Sequence, residues 1–141
     1  VIVLDTNVVS ELLRATPSPE LSGWLDRLPS SAAYITAITA GELHYGAVRL
    51  PAGRRRDRLV EQIDDVVRSG FAHRVLVLDT VAARHGAECR AERAAMGRPV
   101  HDSDAQIAGI CRSRGAALAT RNVRDFEGLG IELIDPWAAD A

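Results

Sequence analysis

The chain has no lysine; all seventeen of its basic residues are arginine. Chemistry that needs a lysine amine is therefore excluded. Cysteine is nearly as scarce, and the two residues, Cys89 and Cys111, lack the close spacing that binds zinc or supports redox cycling. Both read as small buried hydrophobes. Long apolar runs are missing too: none approaches the roughly eighteen residues that a membrane span requires. The first residues open directly into a strand instead of a signal peptide, so the expected location is cytoplasmic, with no membrane partner. Excess positive charge is also lacking. A formal net charge of -2 gives no global attraction to a polyanion, which would have to be met by a local basic patch.

What is present describes a globular protein. The 141 residues are 47% hydrophobic and 26% charged, and the apolar ones fall in short periodic runs. That length fits one domain, residues 1–141, able to bury roughly two-thirds of its unfolded surface. No repeat, linker or low-complexity segment interrupts it.

Val1 to Leu4 is continuously apolar and β-branched, as in a strand buried on both faces of a parallel sheet. Val75 to Leu78, Ala116 to Ala119 and Ile131 to Ile134 are similar, and the segments between carry helical periodicity. The order predicts an α/β fold. Helices are expected over Val8 to Ala15, over Glu20 to Leu28 between two prolines, and from Thr36 or Thr39 to about Leu50. An arginine-rich amphipathic helix is expected around Arg54 to Arg68. Thr80 is the expected cap of a long helix stopped by Gly97 and Pro99, and Asp102 or Ser103 that of a last helix closed by Gly115.

Ligands of open parallel sheets bind beyond the carboxyl ends of the strands. Asp5 ends the first strand, where an unpaired carboxylate is costly unless something uses it. The strand ending at Ala119 delivers Thr120, Arg121 and Asn122 to the same edge, with Asp125 three residues on, close enough to share a face with Asn122. Glu42 and Asp104 stand near helix starts. Taken singly, each has an ordinary explanation. Thr39-x-x-Glu42 satisfies a capping box, Asp104 suits the first turn of a helix dipole, and Asp102 suits an N-cap. His101, beside two aspartates, has no second histidine at ligand spacing. His44, His73 and His85 read as surface or packed residues.

The ordered set Leu4-Asp5-Thr6-Asn7, Ile38-Thr39-Ala40-Gly41-Glu42-Leu43, Asp104-Ala105-Gln106-Ile107-Ala108 and Ala119-Thr120-Arg121-Asn122-Val123-Arg124-Asp125-Phe126 resembles a PIN domain. More narrowly, it resembles the toxin ribonucleases of bacterial VapBC-type toxin-antitoxin pairs. The likeness spans the chain, including the terminal Asp135-Pro136-Trp137. It implies a three-layer α/β fold, with a mostly parallel sheet of four to five strands flanked by helices.

It also implies a metal-dependent endoribonuclease. Asp5, Glu42 and Asp104 would be its acidic metal ligands, Asn122 and Asp125 would complete the catalytic set, and Thr6, Asn7, Thr120 and Arg121 would surround substrate. One position departs from the family pattern: Asn122 stands where many members carry a fourth aspartate, which weakens one metal position. All-oxygen ligands favour Mg²⁺, with Mn²⁺ as a substitute. Carboxylates about 5 Å apart repel by roughly 3 kcal/mol at an effective dielectric near 20, and a divalent ion removes that conflict. The ion also activates water for in-line attack on phosphorus.

An acidic site repels RNA, so arginines must assist. Arg121 has the better claim by position, whereas Arg54, Arg55, Arg56 and Arg58 read first as a solvated helix face. The implied partners are RNA, a second copy of the chain, and a cognate antitoxin in a hetero-oligomer that reaches DNA only through the antitoxin. Leu12, Leu13, Leu43 and Tyr45 form a plausible antitoxin docking surface. Aspartyl-phosphate phosphatases and receiver domains also end a strand with aspartate, but they need a lysine, and the phosphatase D-x-D is replaced here by Asp5-Thr6-Asn7. The stronger rival is a catalytically weak scaffold that serves mainly as the antitoxin-binding partner in a repressor complex.

Overall fold

Val3 and Leu4 are neighbours in sequence, both fully buried, yet they belong to different hydrophobic clusters. Successive strand side chains point to opposite faces, so a strand apolar on both faces must be covered on both. The computed structural model, which describes residues 1–138, has such a sheet. Its strands are β1 (Ile2–Leu4), β2 (Ala33–Thr36), β3 (Val75–Leu76), β4 (Ala117–Ala119) and β5 (Leu133–Ile134). They lie in the order β3-β2-β1-β4-β5, and every neighbouring pair is parallel.

Register sorts the side chains. Val3 pairs with Tyr34 and Leu118, and all three face one cluster; Leu4 pairs with Ala119, and both face the other. The Leu4 face is covered by α1 (Thr6–Leu12), α2 (Pro19–Asp26), α3 (Ala37–Val48) and α4 (Arg54–Asp65), through Val8, Leu21, Trp24, Leu43 and Ile63. The Val3 face is covered by α5 (Thr80–Ala95) and α6 (Asp102–Arg114), through Ala82, Cys89, Ile107, Ile110 and Cys111. The α/β three-layer expectation holds, with five strands.

β2 was not anticipated. Ala33-Tyr-Ile-Thr36 runs into α3 without a turn residue, and its alanines and threonine continue the helical spacing that follows. Thr36 ends the strand and caps the helix at once, its hydroxyl accepting the Thr39 N–H at 3.1 Å. β3 is shorter than the apolar run Val75 to Leu78; Leu78 packs on the core without pairing.

Several helix starts also differ. α1 begins at Thr6, two residues early, because Asp5 is its cap. α2 begins at Pro19, whose fixed φ suits the first helical position, with Ser18 as cap. Asp79, not Thr80, caps α5, accepting the Ala82 N–H at 2.8 Å. Neither Asp102 nor Ser103 caps α6. His101 occupies the cap position without a side-chain bond, and Asp102 pairs instead with Arg90 at 3.1 Å.

α4 gives way to a π turn at Val66–Gly70 rather than continuing to Arg68 as regular helix. Gly115 closes α6 in the left-handed conformation, φ 61°, as expected. Both cysteines are buried, and burial pushes the Cys111 thiol up to about 12, which makes it inert. Among the described residues no helix is long and apolar enough to cross a membrane.

Candidate active site

β1, β2 and β3 run outward on one side of the sheet, whereas β4 and β5 lie on the other, so the strand order reverses between β1 and β4. Side chains beyond the carboxyl ends of strands meet at such a switch point. Asp5 follows β1 and Thr120 follows β4, and the Thr120 hydroxyl donates to Asp5 Oδ2 at 2.8 Å. Asp5 also accepts the Thr6 N–H at 2.8 Å and a longer bond from the Asn7 amide at 3.4 Å. Only 5% of its surface is exposed. The carboxylate is therefore not unpaired, as first supposed: it caps α1 and ties two strands together.

Thr120 organises a second layer. Its oxygen accepts the Asn122 N–H at 3.0 Å, while Asn7 Oδ1 accepts the Arg121 N–H at 3.3 Å. Thr120 and Arg121 are thus held by Asp5 and Asn7 at the start of α1, and Asn122 by Thr120. On the other side of Asp5, the Thr6 hydroxyl donates to Glu42 Oε1 at 2.6 Å and lies 2.9 Å from the Thr39 hydroxyl. The capping-box reading of Glu42 fails here. α3 begins at Ala37, which puts Thr39, not Glu42, at the third helical position.

Asp104 comes from the opposite layer, in the first turn of α6, half-buried and accepting no hydrogen bond among the described residues. Its carboxyl is pushed up to about 6, first by burial and then by the charges of Asp5, Glu42 and Asp125. Asp5 is raised as well, first by burial, with Glu42 and Asp125 adding to it against the hydrogen bonds from Thr120 and Thr6. Four acids from four segments thus feel one another. Asp125 is exposed, on a 3₁₀ turn at Val123–Phe126, and its N–H returns to Asn122 O at 3.0 Å.

Among the described residues, no three acidic, histidine or cysteine side chains close into a tight metal cage. The oxygen-only donors fit a more open arrangement, since Mg²⁺ keeps several waters and needs only one or two carboxylates. His101 is exposed and acts on Asp104 only through charge. His44 faces Asp64 at 3.3 Å, and both side chains are partly exposed.

Three of the four clustered arginines form the expected solvated face: Arg54, Arg55 and Arg58 are exposed and flank a groove shared with Leu13 and Leu59, whereas Arg56 is half-buried. Of the proposed docking residues, Leu43 is buried, Leu12 and Leu13 pack against the core, and Tyr45 is exposed.

Sequence reasoning passed over two features. Trp137 lies beneath Arg121, whose guanidinium is 4.6 Å from the ring centroid. Arg93, 4% exposed, donates to the carbonyls of Arg98, Arg124 and Glu127 and so anchors the turn that carries Asp125. Arg93 continues the spacing Ala82, Gly86, Cys89 that forms the buried face of α5, so the helical period marks its position, whereas its charge argues for the surface and its carbonyl partners lie outside the helix.

The PIN domain family model matches residues 2–131. The chain is 37% identical over 136 residues to the VapC ribonuclease Y4jK of Sinorhizobium fredii, covering 96% of this chain and 97% of that one. It is 34% identical to the tRNA(fMet)-specific endonuclease VapC of Shigella flexneri, covering 96% and 97%. Among solved structures, FitAcB from Neisseria gonorrhoeae superposes with a TM-score of 0.89 at 32% identity, covering 98% of this chain and 99% of that one. The DNA-bound VapBC of Salmonella typhimurium superposes with a TM-score of 0.78 at 36% identity, covering 96% and 97%. By this family match, these relatives and the shared fold, the chain belongs to the PIN-domain family, within its VapC group.

Proposed function

We propose that this protein is a divalent-metal-dependent endoribonuclease, the toxin of a toxin-antitoxin pair, that hydrolyses RNA phosphodiester bonds with water as the nucleophile. The observation that carries the reading is the convergence of Asp5, Glu42, Asp104 and Asp125 from four segments on the switch point, where burial first and then the neighbouring acids push the Asp104 carboxyl up to about 6. Evenly charged acids at one place disfavour the folded state unless a cation joins them. Relatives named as a VapC ribonuclease and as tRNA-specific endonucleases support the same reaction.

Asp5, Asp104 and Glu42 would hold Mg²⁺, with Mn²⁺ as a substitute. The chemistry supplied by a bound ion is acidification of water and neutralisation of charge on the phosphoryl oxygens. The chain's own residues set the geometry. Thr120 fixes Asp5 Oδ2, and Thr6 fixes Glu42 Oε1. Asn7 joins Asp5 to the backbone of Arg121. The Asp104 carboxylate, free of hydrogen bonds among the described residues, keeps both oxygens for a cation or a proton. Asn122 and Asp125 flank the acids on the side where substrate enters.

Solved relatives are toxin-antitoxin complexes, some of them bound to DNA, which supports an antitoxin partner and DNA contact through it. A groove of about 300 Å³ between α1, α3 and α4, lined by Thr6, Ser10, Leu13, Glu42, Leu43 and Leu59, opens beside the acids and suits an antitoxin segment. Assembly as a homodimer and a cytoplasmic location belong to the same reading. Asn122 favours a second one, a weakened catalyst that acts mainly by binding antitoxin, because it removes one charge from the metal site.

Cleavage of a structured RNA pool by the antitoxin-free protein decides between them, with Mg²⁺, Mn²⁺ or EDTA and an Asp5→Asn, Asp104→Asn double variant alongside. Metal-dependent cutting that is lost in the folded variant establishes the nuclease. Absence of cutting despite antitoxin binding establishes the scaffold.

A further inference from the structure

We infer that Arg121 and Trp137 form a stacking platform for an unpaired RNA base next to the scissile phosphate, so that the site engages single-stranded or looped RNA. The inference rests on the ribonuclease reading and deepens it. The indole of Trp137 packs on the cluster beneath the sheet, and its backbone is held by the Asp135 carboxylate, which accepts the Trp137 N–H at 3.0 Å. The Arg121 guanidinium covers the outer side of that ring at 4.6 Å. Its backbone is fixed from the other direction by Asn7, one residue after the Thr120 that bonds Asp5. Both halves of the pair are therefore anchored to the same scaffold as the acids.

The guanidinium itself is committed to nothing else. Arg121 is exposed, and among the described residues its side chain forms no ion pair or hydrogen bond. A guanidinium held over an indole at this distance keeps its planar π face and its in-plane donors available to a base and a phosphate. Unpaired bases stack on aromatic rings and on guanidinium planes, which double-stranded A-form RNA cannot offer. A cleft of about 340 Å³ lined by Arg121, Asn122, Val123, Arg124 and Asp125 runs from the platform's arginine to Asp125, one of the four acids. A base on the guanidinium would place its neighbouring phosphate in that cleft.

A purely structural arginine, there only to shield the indole, would have no preference among nucleic acids. The two roles are separated by titrating a short oligoadenylate into the Asp5→Asn protein and reading tryptophan emission. Trp24 is only 7% exposed, so quenching reports on Trp137. Stacking predicts quenching and a loss of affinity of roughly tenfold for both Arg121→Ala and Arg121→Lys, since lysine keeps the charge but not the plane. Trp137→Phe, which preserves packing, should lose the signal and retain most of the affinity.

An abasic nucleotide at the stacked position should weaken binding to the parent yet leave Arg121→Ala unchanged, because the two changes remove one contact. In cleavage assays of otherwise wild-type protein, Arg121→Lys should raise KM with little change in kcat. Full affinity in Arg121→Lys, additive abasic and Arg121→Ala effects, or no quenching at all would each overturn the platform. Failure of the nuclease reading looks different: oligonucleotide binding and quenching persist while the wild-type protein with Mg²⁺ cuts nothing.

Discussion

The Asp104 carboxyl is pushed up to about 6, a direction unusual for an aspartate. The folded chain holds its proton more tightly than the unfolded chain does, at about 6 against 3.8. Its favourable contribution is therefore complete below the unfolded value and lost as pH rises through 6. For a half-exposed group the effect is on the order of 1 kcal/mol. Thermal denaturation in EDTA should show Tm rising as pH falls from about 6.5 to 5, and Asp104→Asn should flatten that rise. Activity should run the other way, falling below about pH 6 as the proton displaces the cation. Asn122 is the complementary case. Asn122→Asp adds a carboxylate at an exposed position beside the cluster, so it should lower the Mg²⁺ concentration for half-maximal cleavage severalfold. In EDTA the same variant should melt slightly below the parent. A metal titration that does not move would show that this position faces no ion.

At the level of elements, the α5–α6 pair and the turn after β4 decide whether the acids can meet. The two helices cross at Gly86 and Gly109, where a methyl on Gly109 would overlap the Gly86 backbone and the Ala82 carbonyl. Both are backbone atoms and cannot turn aside. Gly109→Ala should thus cost about 3 kcal/mol or more, read as a shift of the urea midpoint, and should displace Asp104 with α6. Arg93 acts on the turn. Its buried guanidinium satisfies three carbonyls, with no carboxylate partner among the described residues. Arg93→Met should leave those carbonyls unpaired, costing about 2–4 kcal/mol. Activity, measured at a temperature where the variant is folded, should fall as Asp125 loses its fixed position.

For the whole molecule, the sheet order predicts where stability resides. β1 lies at the centre with a partner on each side, and β4 is enclosed by β1 and β5. Amides of β1 and β4 should exchange with solvent only through global opening, whereas the two-residue edge strands β3 and β5 should open sooner. Hydrogen exchange by mass spectrometry tests this, and equal protection across all five strands would contradict it. The consequence for function is that the inner strands β1 and β4 carry Asp5 and Thr120, while Asn122, Asp125 and the Arg121–Trp137 pair lie beyond the strand ends, held there by side-chain hydrogen bonds. Precise positioning is needed for the acids.

Much of this was legible in the sequence because it depends on local pattern. The β-branched run ending at Asp5, the helical periodicity and Gly115 at a helix end each follow from what a few neighbouring residues can do. The order and spacing of Asp5, Glu42, Asp104 and the Thr120 segment identified the family for the same reason. β2 was illegible because Ala33-Tyr-Ile-Thr36 satisfies strand and helix spacing equally well, and only pairing with β1 and β3 makes it a strand. Tertiary structure alone decided that Asp5 is held by Thr120 from 115 residues away and that Glu42 is held by Thr6 instead of capping its own helix. It likewise decided that Arg121 rests on Trp137 and which carbonyls the Arg93 guanidinium meets. These contacts join segments far apart in the chain, so their energies depend on how the layers close, which no local periodicity encodes.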